Sequence, residues 1–315
     1  MQTPSEEHAV IVGPPQVQDT TVAEQLGQGE LVWIRFRRHP LALIGAVTIA
    51  LLVLMAVLAP LISPETPDHW NYLADNLPPR FAWPWQSDWR YIMGTDSTGH
   101  SLLMWIAYGA RVSLAVGVFA ALLTITLGII IGGVAGYFGG WIDTILMRSA
   151  DIVLTLPFLP LILLLSYLIT GGSWALIVVL FSLFGWPSDA RLVRSYYLSF
   201  TRQEFTEAAR AVGVSDVRIM FRHILPNVLS PIIVSATLDV ASYIVSESAI
   251  DFLGFGIKSP TVSWGLALSN AEDYFIVGNW WWAAFPGLFI LITVLAVNFL
   301  GDGLRDALDV RADSI

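Results

Sequence analysis

Uncharged apolar runs long enough to cross a lipid bilayer recur along this chain, and they restrict its fold more than any other feature. Hydrocarbon about 30 Å thick is crossed by roughly 20 helical residues, because each adds about 1.5 Å and every backbone polar group must be bonded within the segment. The runs from Leu41 to Ile62, Val112 to Tyr137, Ile152 to Ile169, Val228 to Leu253 and Trp282 to Leu300 meet that requirement, although the fourth carries acids. Trp174 to Trp186 is shorter, but a helix extended to about Val193 spans if Asp189 and Arg191 sit at the water interface. With 55% hydrophobic and 13% charged residues, the 315-residue chain is far poorer in charge than the roughly one quarter usual in soluble domains. A water-soluble enzyme is disfavoured.

Charge placement decides the short run. Cytoplasmic flanks of membrane spans collect Arg and Lys. With six spans and a cytoplasmic start, Arg35, Arg37, Arg38, Arg148, Arg191, Arg194, Arg202, Arg210, Arg218, Arg222, Arg305 and Arg311 fall inside, whereas Arg80, Arg90, Arg111 and Lys258 fall outside. Removing the short span would put the cluster from Arg191 to Arg222 on the wrong face. The expected architecture is therefore an all-α integral membrane protein with six transmembrane helices and both termini cytosolic. A net charge of −9 without a large basic patch argues against nucleic acid as a partner, and the absence of Cys excludes disulfides and thiolate metal sites.

The organisation follows. Residues 1–30 lack periodicity and a cleavable signal pattern and read as a disordered cytosolic tail. Residues 31–105 hold the first span and an extracytoplasmic segment whose Trp70, Trp83, Trp85 and Trp89 suit the bilayer interface, as do Trp280, Trp281 and Trp282. Residues 106–310 form the core, and 311–315 a second cytosolic tail.

One cytoplasmic stretch, residues 199–227, is amphipathic rather than apolar. Thr201 with Glu204 fits a capping pattern, Gly213 a helix stop, and Ser215 the cap of a second helix that Pro226 ends. Phe205, Ala208, Ala209 and Val212, then Val217, Phe221 and Ile224, recur at helical spacing and build an apolar ridge flanked by Glu207, Arg210, Arg218 and Arg222. Two readings stand: the ridge packs on the chain itself, or its small residues admit a partner protein.

Glu207-Ala208-Ala209, then Gly213, then Leu225-Pro226 resembles the EAA coupling motif of the membrane subunits of bacterial ABC importers, with His223 where isoleucine is usual. The resemblance extends over most of the chain to the C-type permease subunit of the dipeptide, oligopeptide and nickel importer family. It rests on Trp33-Ile34-Arg35-Phe36-Arg37-Arg38, Gly94-Thr95-Asp96, Tyr108-Gly109-Ala110-Arg111, Gly136-Tyr137-Phe138-Gly139-Gly140-Trp141-Ile142-Asp143, Ala190-Arg191-Leu192-Val193-Arg194, Phe252-Leu253-Gly254-Phe255-Gly256, Ser263-Trp264-Gly265 and Leu300-Gly301-Asp302-Gly303. His100-Ser101 stands where relatives usually carry Arg-Asp.

The resemblance implies a type I ABC importer permease fold with a cytoplasmic coupling-helix hairpin, in a bacterial or archaeal cytoplasmic membrane. It implies as partners a homologous membrane permease subunit, two ABC ATPase subunits and an extracytoplasmic solute-binding protein, all set in the lipid bilayer. It assigns ATPase coupling to Glu207, Ala208, Ala209, Arg210, Gly213, Arg218, Leu225 and Pro226. The expected cargo is a di- or oligopeptide, with nickel, glutathione or oligosaccharides as the alternative.

The residues agree that energy comes from elsewhere. No G-x-x-x-x-G-K-[ST] phosphate cradle is present, the one Lys being Lys258, and the glycines near Gly132 and Gly136 have the small-xxx-small spacing of close helix packing. ATP and Mg are thus expected on partner subunits, with no cofactor on this chain, and no catalytic constellation appears. A stand-alone secondary carrier would need an internal repeat, and none is evident. Within the fifth span Asp239, Tyr243, Glu247 and Asp251 fall near one face as a candidate wall of the translocation path. Acids there must meet protein or water, because a charge in hydrocarbon costs at least about 2.5 kcal/mol. Pairing with polar groups of the partner membrane subunit is the other reading.

Overall fold

A computed structural model describes residues 28–62, 71–79, 89–169, 172–275 and 278–308. Residues 1–27 and 309–315, with Trp70, Arg80, Trp83 and Trp85, lie outside the described residues, whereas 28–30, expected in the first tail, open a helix. The helices are α1 Gln28–Arg38, α2 Pro40–Ile62, α3 Leu102–Phe138, α4 Gly140–Thr155, α5 Phe158–Leu168, α6 Trp174–Phe200, α7 Glu204–Ala211, α8 Asp216–Arg218, α9 Leu225–Phe252, α10 Trp264–Phe275 and α11 Trp281–Leu308. A π-helical turn, Ile219–Ile224, joins α8 to α9.

Five helical stretches are individually long and apolar enough to cross a membrane, and the short run is one of them: α6 continues unbroken to Phe200. The third expected span differs. It straddles a break between α4 and α5, where the axis turns by 80°. Pro157 cannot extend α4 and presses Leu156 into an extended conformation (ψ 133°), so the helix stops and restarts. The sixth crossing therefore exists only if this bent pair counts as one span.

The core is organised around α3, which packs most extensively against α6 and also touches α9, α2 and α10. A Cβ added to Gly132 would lie 2.2 Å from the Ala190 carbonyl oxygen, and one added to Gly136 would lie 2.7 Å from that of Arg194. These backbones touch because no side chain intervenes, as the small-xxx-small spacing predicts. The family-like motifs on these helices are joined by ion pairs: Arg194 binds Asp143 of α4 through both Nε and Nη2, the latter at 2.6 Å, and Arg191 binds Asp151. Asp189 is only 4% exposed, not interfacial as expected, because α6 extends well past it and turns it toward α9.

Two expected tryptophan anchors are core residues instead. Trp282 is fully buried edge-on against Trp105, with ring centroids 5.6 Å apart, and the Trp281 indole donates to the Thr95 carbonyl at 3.3 Å. That bond ties α11 to a knot of outer loops. Within the knot Asp96 Oδ1 accepts from the backbone of Thr98 and of His100, and Asp96 Oδ2 lies 2.7 Å from His100 Nδ1. Burial alone would raise the Asp96 carboxyl, but the hydrogen bonds from His100 and Thr98 outweigh it and hold the group below its ordinary value. Ser101, the other atypical residue, caps α3 by accepting from Met104 N.

Inserting bulk at the α3–α6 contact should be costly, since backbone atoms cannot move aside as a flexible side chain can. Gly132→Leu is expected to destabilise the chain by about 1–3 kcal/mol. The measurement is the thermal unfolding midpoint in detergent, which should fall for Gly132→Leu but not for Gly287→Leu, where a Cβ would meet open space.

Candidate functional site

The amphipathic stretch folds as a hairpin, but its punctuation differs from that expected. Thr201 does not cap α7; its hydroxyl donates back to the Tyr197 carbonyl at 2.7 Å, and Gln203 occupies the N-cap without a side-chain bond. Gly213 does end the first arm, at φ 78°, a conformation that favours glycine. Ser215 holds the cap position of α8 without a side-chain bond. Pro226 does not end the second arm. The chain widens into the π turn, where Leu225 N reaches back to the Met220 carbonyl, and Pro226 falls in the first turn of α9, where its missing N–H costs nothing. The second arm thus runs directly into a membrane helix.

Burial divides the hairpin into a root and a free surface. Ala209, Ile219, Met220 and Ile224 are buried among Tyr137, Val193 and Tyr197, so Ile224 fills the apolar role beside His223. The Tyr197 hydroxyl donates to the Met220 carbonyl at 3.1 Å, and the Thr206 hydroxyl to that of Phe200 at 2.8 Å. Glu207, Ala208, Arg210, Gly213, Arg218 and Pro226 are exposed, and Leu225 is half-buried. Phe205, Val217 and Phe221 are exposed too, and Val212 is 79% exposed. The expected ridge is therefore split: its inner members pack on the chain, and its outer members leave apolar surface open.

The acids of α9 also divide. Four residues advance about 40° beyond a full helical turn, so three such steps carry the stripe about 120° around the helix. At one end Asp239 and Tyr243 line a cavity of about 480 Å³ with Ser188, Asp189, Ser242, Ser246 and residues on both sides of the α4–α5 break. Ser235 donates to Asp189 Oδ1 at 3.3 Å, the Asp189 and Asp239 carboxyls lie against each other, and Tyr243 donates to Thr124 at 3.1 Å. Asp239 Oδ2 is buried and has no hydrogen-bond partner among the described residues. No basic side chain lines the cavity among the described residues.

At the other end Glu247 is fully buried, receiving Ser113 at 3.4 Å and Ser248 at 3.2 Å. Asp251 accepts from Ile257 N at 2.7 Å and from the Ser263 hydroxyl. Ser113 in turn accepts from Trp264 N at 3.2 Å. These two acids bond within their own chain and fasten the loop before α10, an element that the sequence pattern did not reveal. The sequence reading also missed Asp189 and Ser235 as neighbours of Asp239. Ser235 precedes it by one helical turn, and an acid in an otherwise apolar run was the available signal for Asp189.

Removing the Asp251 carboxyl would leave a buried N–H and a buried hydroxyl without their acceptor. Asp251→Ala should cost about 1–3 kcal/mol of stability. Increased protease cutting within residues 253–263 is the expected readout, and unaltered protection would show that this acid does not hold the loop.

The chain is similar to known proteins along nearly its whole length. Residues 124–314 match the family described as binding-protein-dependent transport system inner membrane component, and residues 27–79 match the N-terminal TM domain of oligopeptide transport permease C. The dipeptide transport system permease protein of Bacillus subtilis is 38% identical over 93% of this chain and 89% of that protein. The oligopeptide transport system permease protein of the same organism is 36% identical over 88% of each. The dipeptide permease protein of Haemophilus influenzae is 38% identical over 89% of this chain and 93% of its own length.

Proposed function

Because the chain belongs to the family of binding-protein-dependent transport system inner membrane components, we propose that it forms half of the membrane pathway of a peptide importer. The chain is a multi-pass permease subunit of an ABC importer, and hydrolysis resides in a separate ATPase subunit. The peptide cargo is carried over from the dipeptide and oligopeptide permeases that resemble it. A homologous permease subunit, two ATPase subunits holding ATP and Mg, and an extracytoplasmic solute-binding protein complete the machine. The hairpin side of the membrane is the cytosol.

The observation that carries the coupling role is the split hairpin. Its inner arm surfaces are fixed in the core while Phe205, Ala208, Val212, Val217 and Phe221 stay open beside Glu207, Arg210 and Arg218. A rooted lever with an exposed, small-centred apolar face suits a groove on another protein. When ATP draws the ATPases together, the hairpin moves and carries α6 and α9 with it, switching the pathway between outward and inward access. Leu225 and Pro226 stiffen the junction, and Gly213 sets the turn.

Ala208→Arg places a long charged side chain on an exposed helical position, so folding and membrane insertion should be unaffected. Co-purification of the ATPase is expected to be lost, and uptake to fall by about tenfold or more. Gly213→Trp should act in the same direction. A fully coupled Ala208→Arg complex would end the docking assignment.

The cavity beside the α4–α5 break supplies a candidate for the peptide's route. Two acids without a nearby base favour a cationic group, and every unmodified peptide carries an amino group. Asp239, Asp189 and Tyr243 form this wall, while Glu247 and Asp251 shape the path indirectly by holding the loop before α10. Asp239→Asn should slow uptake of a free-amine peptide by about tenfold, leaving peptide capture by the binding protein and ATPase assembly unchanged. Uptake at the unaltered rate would remove Asp239 from the route.

A further inference from the structure

The aromatic motif that closes α3 has no part in the docking face or the cavity wall, yet it joins the two arms of the hairpin to a membrane helix. Tyr137 is only 7% exposed, and its hydroxyl donates to Asp216 Oδ1 at 2.6 Å. The guanidinium carbon of Arg210 stands 5.5 Å from the centre of the same ring. Arg210 closes α7 and Asp216 opens α8, so one side chain spans the Gly213 turn and holds both ends of it.

The bond to Tyr137 differs from the other fixed points of the hairpin. Tyr197 and Phe200, which bond Met220 and Thr206, belong to α6, the helix that leads into the hairpin. Tyr137 belongs to α3, which is remote in sequence and reaches the cavity directly, because Thr124 accepts the hydroxyl of Tyr243. Thirteen helical steps lead from Thr124 to Tyr137, a rigid distance of roughly 20 Å. A phenol donating to a carboxylate is among the shorter and stronger hydrogen bonds, and the cation over the ring adds a second fixed contact.

We propose that Tyr137 is a positioning residue that passes hairpin movement into α3, and through that helix to the Thr124–Tyr243 wall of the cavity. The proposal rests on the hairpin being the ATPase dock. If the tie were absent, the hairpin could shift against the packed α3–α6 pair before moving it, and the pathway would open incompletely for each ATP consumed.

The test uses the whole complex in proteoliposomes and reads peptide taken up per ATP hydrolysed. Tyr137→Phe keeps the ring beside Arg210 and removes the hydroxyl, which donates to Asp216 and also meets the Arg210 guanidinium. It is expected to lower that ratio by about fivefold or more, with ATPase co-purification unchanged. Asp216→Ala should match it, Asp216→Asn, which keeps an acceptor oxygen, should retain most of the coupling, and the double variant should be no worse than either single one. Full coupling in Tyr137→Phe, additive losses in the double variant, or loss of the ATPase from the purified complex would each overturn the proposal. Crosslinks from Ala208→Cys to the ATPase separate the two levels. Their absence in the otherwise unaltered complex removes the dock and this inference with it, whereas their presence alongside a fully coupled Tyr137→Phe complex removes the inference alone.

Discussion

Direct backbone contact between α3 and α6 is the constraint on which the remaining structure depends. Gly132 and Gly136 let the two helices meet at the carbonyls of Ala190 and Arg194, and a Cβ on Gly128 would meet the Cβ of Asp189 at 2.5 Å. Without a hydrophobic drive between helices in lipid, such close packing supplies much of the association energy. The contact also sets the depth of two polar features. Asp189 is carried to the edge of the cavity, and Tyr137 and Tyr197 are carried to the root of the hairpin.

Much of the architecture was legible because membrane spans are long and the rule that governs them is simple. The apolar runs located α2, α3, α6, α9 and α11, and arginine placement correctly extended the short run through Asp189 and Arg191. Glycine chemistry located the hairpin turn at Gly213. What failed was local. Pro157 broke a run that hydropathy averages smoothly, Pro226 continued a helix because a wide turn precedes it, and Trp281 and Trp282 found core partners that composition cannot specify. The acidic stripe divided because a four-residue step does not return to the same helical face. The proposed docking and path roles are less legible still, since an apolar helix face has the same periodicity whether it packs on its own chain or stays open.

The family-like motifs acquire physical content in the fold. The motif around Gly139 and Gly140, both at positive φ, turns the chain from α3 into α4 and places Asp143 one helical turn later. Arg194 grips that carboxylate with two donors, and Arg191 binds Asp151 two turns further on. α4 is thereby strapped along α6.

The bend at Pro157 carries a requirement of its own. α5 has 11 residues, roughly 16 Å of helix, about half the thickness of hydrocarbon. Interrupted backbone at such a depth survives only against protein or in a hydrated recess, because lipid offers nothing to its open amides and carbonyls. Val153, Leu154, Leu156 and Phe158 border the acidic cavity. The interruption and the acids therefore share one need: a lining of protein or water in place of lipid along the same recess.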